Sequence, residues 1–184
     1  MALTYSNMME LGTNAPDFDL LDTVSGEYVS LPDTNSAKAV VVMFICNHCP
    51  YVHHVNQKMV EIANAYSAQG AKFIGISSND VNNYPQDGPE LMKETAQREG
   101  YPFPYLYDET QEVAKAYGAE CTPDFFVFDS DLKCVYRGRM DETRPGMGTP
   151  NGNDLKSALE AVLAGEKPND EQFPSMGCGI KWKN

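Results

Sequence analysis

Residues 39–46 read AVVVMFIC, an unbroken apolar run, rich in β-branched residues, that stops on the first cysteine of Cys46-Asn47-His48-Cys49. A strand with one wet face alternates polar and apolar positions, so a continuous run of this length predicts a strand covered on both faces by helices. Beyond the cysteines, Val52, Val55, Met59, Ile62, Ala63 and Tyr66 recur at helical spacing up to Gly70, and residues 72–78 (KFIGISS) read as a second buried strand. Strand, helix and strand in that order make a βαβ unit with a right-handed crossover expected, which places the chain in the α/β class.

The remaining segments extend this unit. Residues 15–31 alternate around Ser25-Gly26 and predict an N-terminal β-hairpin; residues 80–89 (DVNNYPQDGP) read as a loop, and 90–98 as a helix. A short strand at 103–107, a short helix at 109–117 and a hairpin of 125–129 with 133–139 follow. A last helix is expected, capped by Asn153 or Asp154, with Leu155, Ala158, Leu159 and Val162 on one face. Residues 165–184 read as an irregular C-terminal tail. At 184 residues the chain is the length of one domain, 1–184.

Fourteen Lys and Arg against 26 Asp and Glu leave a net charge of −12, which disfavours nucleic-acid phosphates and anionic lipid as partners. The first residues carry no basic, apolar leader pattern, and the longest apolar run is too short to span a bilayer, so the chain reads as cytoplasmic, or as a mature form already trimmed. Five cysteines, an odd number in a chain that needs no disulfide framework, leave at least one thiol unpaired within the chain.

The chemistry concentrates at Cys46 and Cys49. Two intervening residues let the sulfurs close a small disulfide ring, and a strand-to-helix junction predicts helix N-terminal N–H groups beside Cys46, lowering its pKa and making it the attacking sulfur. Cys49, one turn on, is then the resolving thiol. A protonated His48 would stabilise the Cys46 thiolate and make the pair more oxidising. A zinc half-site is the competing reading, but a second cysteine pair at matching spacing is missing; His53 and His54 are the only further nitrogen ligands nearby. No metal and no organic cofactor is expected.

A C-x-x-C helix, a strand, a helix and then Cys121-Thr122-Pro123 opening a β-hairpin resemble the thioredoxin superfamily. That resemblance implies a thioredoxin-like fold, a central mixed β-sheet flanked by helices, with Pro123 cis and packed against the cysteine pair. It also implies that Thr122 pairs its backbone with an incoming substrate chain, with Asn47 beside it in the binding surface. The stretches FICNHCPYVHH, GYPFPYLYDETQEVAKAYGAECTPDFFVFD and PSMGCGIKWK are similar to the peroxiredoxin-like branch, the AhpC/TSA family. The peroxidatic pattern P-x-x-x-[ST]-x-x-C falls here on Ala39, Met43 and Cys46, so its proline and hydroxyl are both absent.

The resulting expectation is a thiol–disulfide oxidoreductase that acts on disulfide-containing proteins or small disulfides and draws on a thioredoxin or glutathione system. The alternatives are a thiol peroxidase using Cys46 and a copper- or zinc-carrying module. Cys121 and Cys178 are candidate additional redox thiols, whereas Cys134 alternates with apolar neighbours and reads as core. Residues 39–45 contain no carboxylate, so the sequence names no base for Cys49.

Overall fold

The apolar run becomes the central strand of the molecule. The computed structural model describes residues 3–31 and 36–184. Its first half contains β1 (Leu3–Tyr5), β2 (Asp19–Asp22), β3 (Tyr28–Ser30), β4 (Ala39–Phe44), α1 (Pro50–Ser67), β5 (Ala71–Ser77) and α2 (Pro89–Glu99). The second half contains β6 (Tyr105–Tyr107), α3 (Glu112–Tyr117), β7 (Cys121–Thr122), β8 (Asp124–Asp129), β9 (Cys134–Gly138), α4 (Asn153–Leu163) and β10 (Met176–Gly179).

Seven strands form one sheet in the order β3-β2-β6-β5-β4-β8-β9. β4 runs parallel to β5 and antiparallel to β8, so the sheet is mixed. Every residue of β4 is buried because its two faces feed two separate cores. Val41 and Met43 pack with Phe125 and Val127 against α1 and α4, whereas Val40, Val42 and Phe44 pack with Phe126 and Phe128 against α3 and Phe18. That double coverage is why the run does not alternate. The expected hairpin is present as β2 and β3, and β2 also pairs with β6, which joins the hairpin to the main sheet.

Three expectations need correction. The tail is not wholly irregular: β10 lies between β1 and β7 in a second sheet of three strands, pairing Leu3 with Cys178 and Cys178 with Thr122. These strands are two to four residues long and are brought together from opposite ends of the chain, so neither periodicity nor local turn chemistry announces them. The last helix is capped by Gly152, because the Asp141 carboxylate takes the N–H groups of Asn151 and Gly152 at 2.9 and 2.6 Å and starts the helix at Asn153. Finally, α1 begins at Pro50, with Cys49 rather than Cys46 at its N-cap. The signal was Pro50 itself: proline lacks an N–H and has a helical φ, which suits the first helical position.

Candidate active site

β4 ends at Phe44, and the chain turns through Cys46-Asn47-His48 before α1, so the motif lies at the carboxyl end of the central strand. Cys46 and Cys49 are 2% and 0% exposed. The loop between β7 and β8 faces them with a cis Thr122–Pro123 bond, as the thioredoxin resemblance implies. Thr122 touches both sulfurs: its Oγ1 lies 3.4 Å from Cys46 Sγ, and its carbonyl oxygen lies 3.2 Å from Cys49 Sγ.

The expected charge distribution is reversed. The Cys46 thiol, above all, then the Cys178 thiol, the Val52 backbone N–H and the Thr122 hydroxyl favour negative charge on Cys49 against its burial, and they hold it below the ordinary thiol range. Cys46 is pushed up, chiefly by its contact with Cys49, then by burial and by the Asp87 carboxylate. The displaced helix start adds one donor of α1, the Val52 N–H, to Cys49, while the larger part comes from the Cys46 and Cys178 thiols.

His48 does not act alone on Cys46. Its Nδ1 is 4.0 Å from Cys46 Sγ but 2.5 Å from Oδ2 of Asp87, a wholly buried carboxylate. The Asn47 N–H and the Asn79 side-chain amide also donate to Asp87, at 2.8 and 2.9 Å. Tyr84 stacks on the imidazole with ring centroids 5.6 Å apart, and His48 Nε2 is buried with no partner among the described residues. Sequence reasoning missed Asp87 because an acidic residue in a polar, proline-containing loop carries no sign of burial. Asn47 is equally engaged: its side chain donates to the Gln86 carbonyl at 2.8 Å and accepts from Tyr105 Oη at 3.1 Å. These contacts hold the motif in place.

The extra cysteines separate clearly. Cys178, carried by β10, lies with its Sγ 2.8 Å from Cys49 Sγ and is 4% exposed. Cys121 is buried, its Sγ facing the Pro123 carbonyl at 4.0 Å, and burial pushes its thiol up. Cys134 packs in the other core, as expected. Thr122, expected to pair with an incoming chain, pairs instead with Cys178 of its own chain. A buried carboxylate does lie nearby, on β8 rather than on the strand leading into the motif. Asp124 pairs across the sheet with Phe44, accepts from Ser6 Oγ at 2.7 Å, and is pushed up to about 8 by burial.

Among the described residues, the one group of side chains with ligand atoms close enough to hold a metal ion is Cys46, His48 and Asp87. His53 and His54 lie outside it, bonded to the Asn47 carbonyl at 2.5 Å and the Thr143 hydroxyl at 2.9 Å. No helix among the described residues is long and apolar enough to cross a membrane.

Comparison with known proteins agrees with this architecture. The AhpC/TSA family model matches residues 11–137. Thiol-disulfide oxidoreductase ResA of Geobacillus thermodenitrificans is 26% identical over 162 residues, covering 86% of this chain and 82% of that protein. An uncharacterized conserved protein from Geobacillus kaustophilus superposes with a TM-score of 0.97 at 54% identity, over 100% of this chain and 97% of its own. The thiol:disulfide interchange protein DsbE from Chlorobium tepidum, at 19% identity, shares the fold with a TM-score of 0.67 over 85% of this chain and 99% of its own.

Proposed function

This chain belongs to the AhpC/TSA family, and from that membership together with its site we infer that it is a thiol–disulfide oxidoreductase working through Cys46 and Cys49. The observation that carries the reading is the meeting of both sulfurs with Thr122, at 3.4 Å from Cys46 and 3.2 Å from Cys49. Two thiols held against one residue at the end of a strand are placed to close into one disulfide.

In the reducing direction, Cys46 attacks a sulfur of the substrate disulfide, and the other substrate sulfur leaves with the electron pair. The proton of Cys46 passes first to Cys49, which already favours negative charge and touches it. The two sulfurs therefore share one proton and titrate as a unit. Cys49 then gives up that proton and attacks Cys46 in the mixed disulfide. The Cys46–Cys49 bond closes, and the substrate departs with two electrons. His48, held by Asp87 with Nε2 uncommitted and with its ring 4.0 Å from Cys46 Sγ, is the imidazole that receives the proton. A redox partner, a thioredoxin or glutathione system, returns the pair to the dithiol.

The peroxidase alternative draws no added support, since Ala39 and Met43 occupy the places of the proline and hydroxyl it requires. The metal-carrier alternative loses the two histidines that suggested it. Turnover of a model disulfide by wild type, Cys46→Ser and Cys49→Ser tests the function. Wild type is expected to exchange, Cys46→Ser to be inactive, and Cys49→Ser to accumulate a mixed disulfide on Cys46. Rapid peroxide consumption that requires Cys46, with no disulfide exchange, would overturn it.

A further inference from the structure

Among the described residues, Cys178 is the one cysteine outside the C-x-x-C motif whose sulfur touches it, and it is held from both sides. β10 is hydrogen-bonded on both edges, with Leu3 opposite Cys178 on one side and Thr122 opposite Cys178 on the other. Gly177 admits no side chain, since a Cβ there would lie 1.9 Å from the Thr122 carbonyl oxygen, and a Cβ on Gly179 would lie 2.8 Å from the Thr4 hydroxyl, which would have to turn aside. The segment Gly177-Cys178-Gly179 therefore seats its backbone against β7, and the cysteine is the side chain it delivers. Its Sγ is 2.8 Å from Cys49 Sγ, closer than two unbonded sulfurs ordinarily rest and beyond the bonded separation of about 2.05 Å.

Thr122 is the residue at which an extended substrate would pair, and that edge is taken by the chain's own cysteine-bearing strand. We propose that Cys178 is a third exchanging thiol, an in-chain partner held against Cys49, so that the disulfide passes between Cys46–Cys49 and Cys49–Cys178. The proposal rests on the thiol–disulfide function above and adds a second destination for its disulfide.

The step balances without an outside reagent. Cys178, as thiolate, attacks Cys49 Sγ of the Cys46–Cys49 disulfide. The Cys49–Cys178 bond forms, the Cys46–Cys49 bond breaks, and Cys46 leaves with the electron pair and takes up the proton that Cys178 released. One disulfide and one thiol are present before and after, so the chain is neither oxidised nor reduced. The consequence is positional. Cys46, next to Asn47 and His48 in the turn, returns to the thiol form while the disulfide is stored under β10. Cys121 and Cys134 are not part of this exchange, since their sulfurs face the Pro123 and Tyr136 carbonyls at 4.0 and 3.6 Å.

The test is disulfide mapping of the full chain after treatment with one equivalent of diamide, followed by alkylation and digestion without reduction. In wild type, a fraction of the oxidised protein is expected to link the peptide containing Cys46 and Cys49 to the peptide containing Cys178, with Cys46 alkylated. In Cys46→Ser the same link is expected in nearly all molecules, with the loss of two titratable thiols per chain. In Cys178→Ser it is expected to vanish. Absence of the link from both wild type and Cys46→Ser would overturn the proposal, as would links to Cys121 or Cys134 in its place. If wild type exchanges with a model disulfide but no link forms, only the relay fails. If wild type fails to exchange, the thiol–disulfide function itself fails.

Discussion

Two buried carboxylates bear on this molecule in different ways. Asp87 raises the Cys46 thiol by placing negative charge beside it, so replacing it with asparagine favours the Cys46 thiolate. The thiolate exists in the dithiol state and not in the disulfide, so the reduced form gains and the potential moves to more oxidising values. A shift on the order of 30 mV, equivalent to about 1.4 kcal/mol for two electrons, is expected for Asp87→Asn in a glutathione redox titration, together with faster alkylation of Cys46 at pH 7. A move to more reducing values would contradict the electrostatic role of Asp87. Asp124 acts on stability instead. Burial holds its folded pKa at about 8, against about 3.9 in an unfolded chain, so between those values the folded state carries a proton that the unfolded state has lost. Its contribution is therefore greatest below about pH 4 and declines as pH rises to about 8, by at most about 1.4 kcal/mol per pH unit. Asp124→Asn stays neutral and keeps an acceptor for Ser6, so its stability relative to wild type is expected to rise from pH 5 to pH 8 in denaturant melts. A constant difference across that range would show that Asp124 does not titrate this way.

Among the elements, β10 carries the most consequence for its size. A methyl group at position 177 meets a backbone carbonyl that cannot rotate away, so Gly177→Ala is expected to lift β10 from β7 at a cost of about 1–3 kcal/mol, typical of overpacking. Hydrogen exchange should show faster exchange at Thr122 and Cys178 with β4, β5 and β8 unchanged; full protection of both amides in the variant would refute the account. The contrast between β4 and β10 explains what a reader of the sequence can see. Ala39 to Phe44 is legible because burial on two faces writes itself into six consecutive residues, and α1 is legible from its spacing up to Tyr66. The cysteine pair was legible as a local pattern, and the cis proline only through the thioredoxin resemblance. β1, β7 and β10 were not, because their pairing joins residues 3, 122 and 178 across the whole chain. Asp87 was hidden for the same reason: its burial comes from Asn47, His48 and Asn79, which only folding brings together. The start of α1 was the one error the sequence had the means to prevent, through Pro50.

At the scale of the whole molecule, the net charge of −12 surrounds a site whose two cysteines are almost closed to solvent. Exchange therefore depends on how often a disulfide reaches the turn at Asn47 and His48, and the long-range field biases that encounter. The cations that line the cavity beside Pro123 do not reverse its sign. Arg139 and Arg144 line the cavity beside that proline together with Asp141 and Glu142, and Arg139 is bonded to Asp154 at 2.6 Å. Cationic disulfides should thus be steered toward the protein and anionic ones repelled, with both effects fading once the screening length falls below about 10 Å. Cystamine and oxidised glutathione form the test pair, one bearing positive charge and the other net negative charge at pH 7. Their intrinsic reactivities differ, so the readout is the salt dependence of each rather than the ratio at one condition. From about 10 mM to about 500 mM salt, second-order exchange with cystamine is expected to slow several-fold while exchange with oxidised glutathione accelerates. Changes of the same sign for both would mean that the local charges at the turn, and not the overall field, govern access to Cys46.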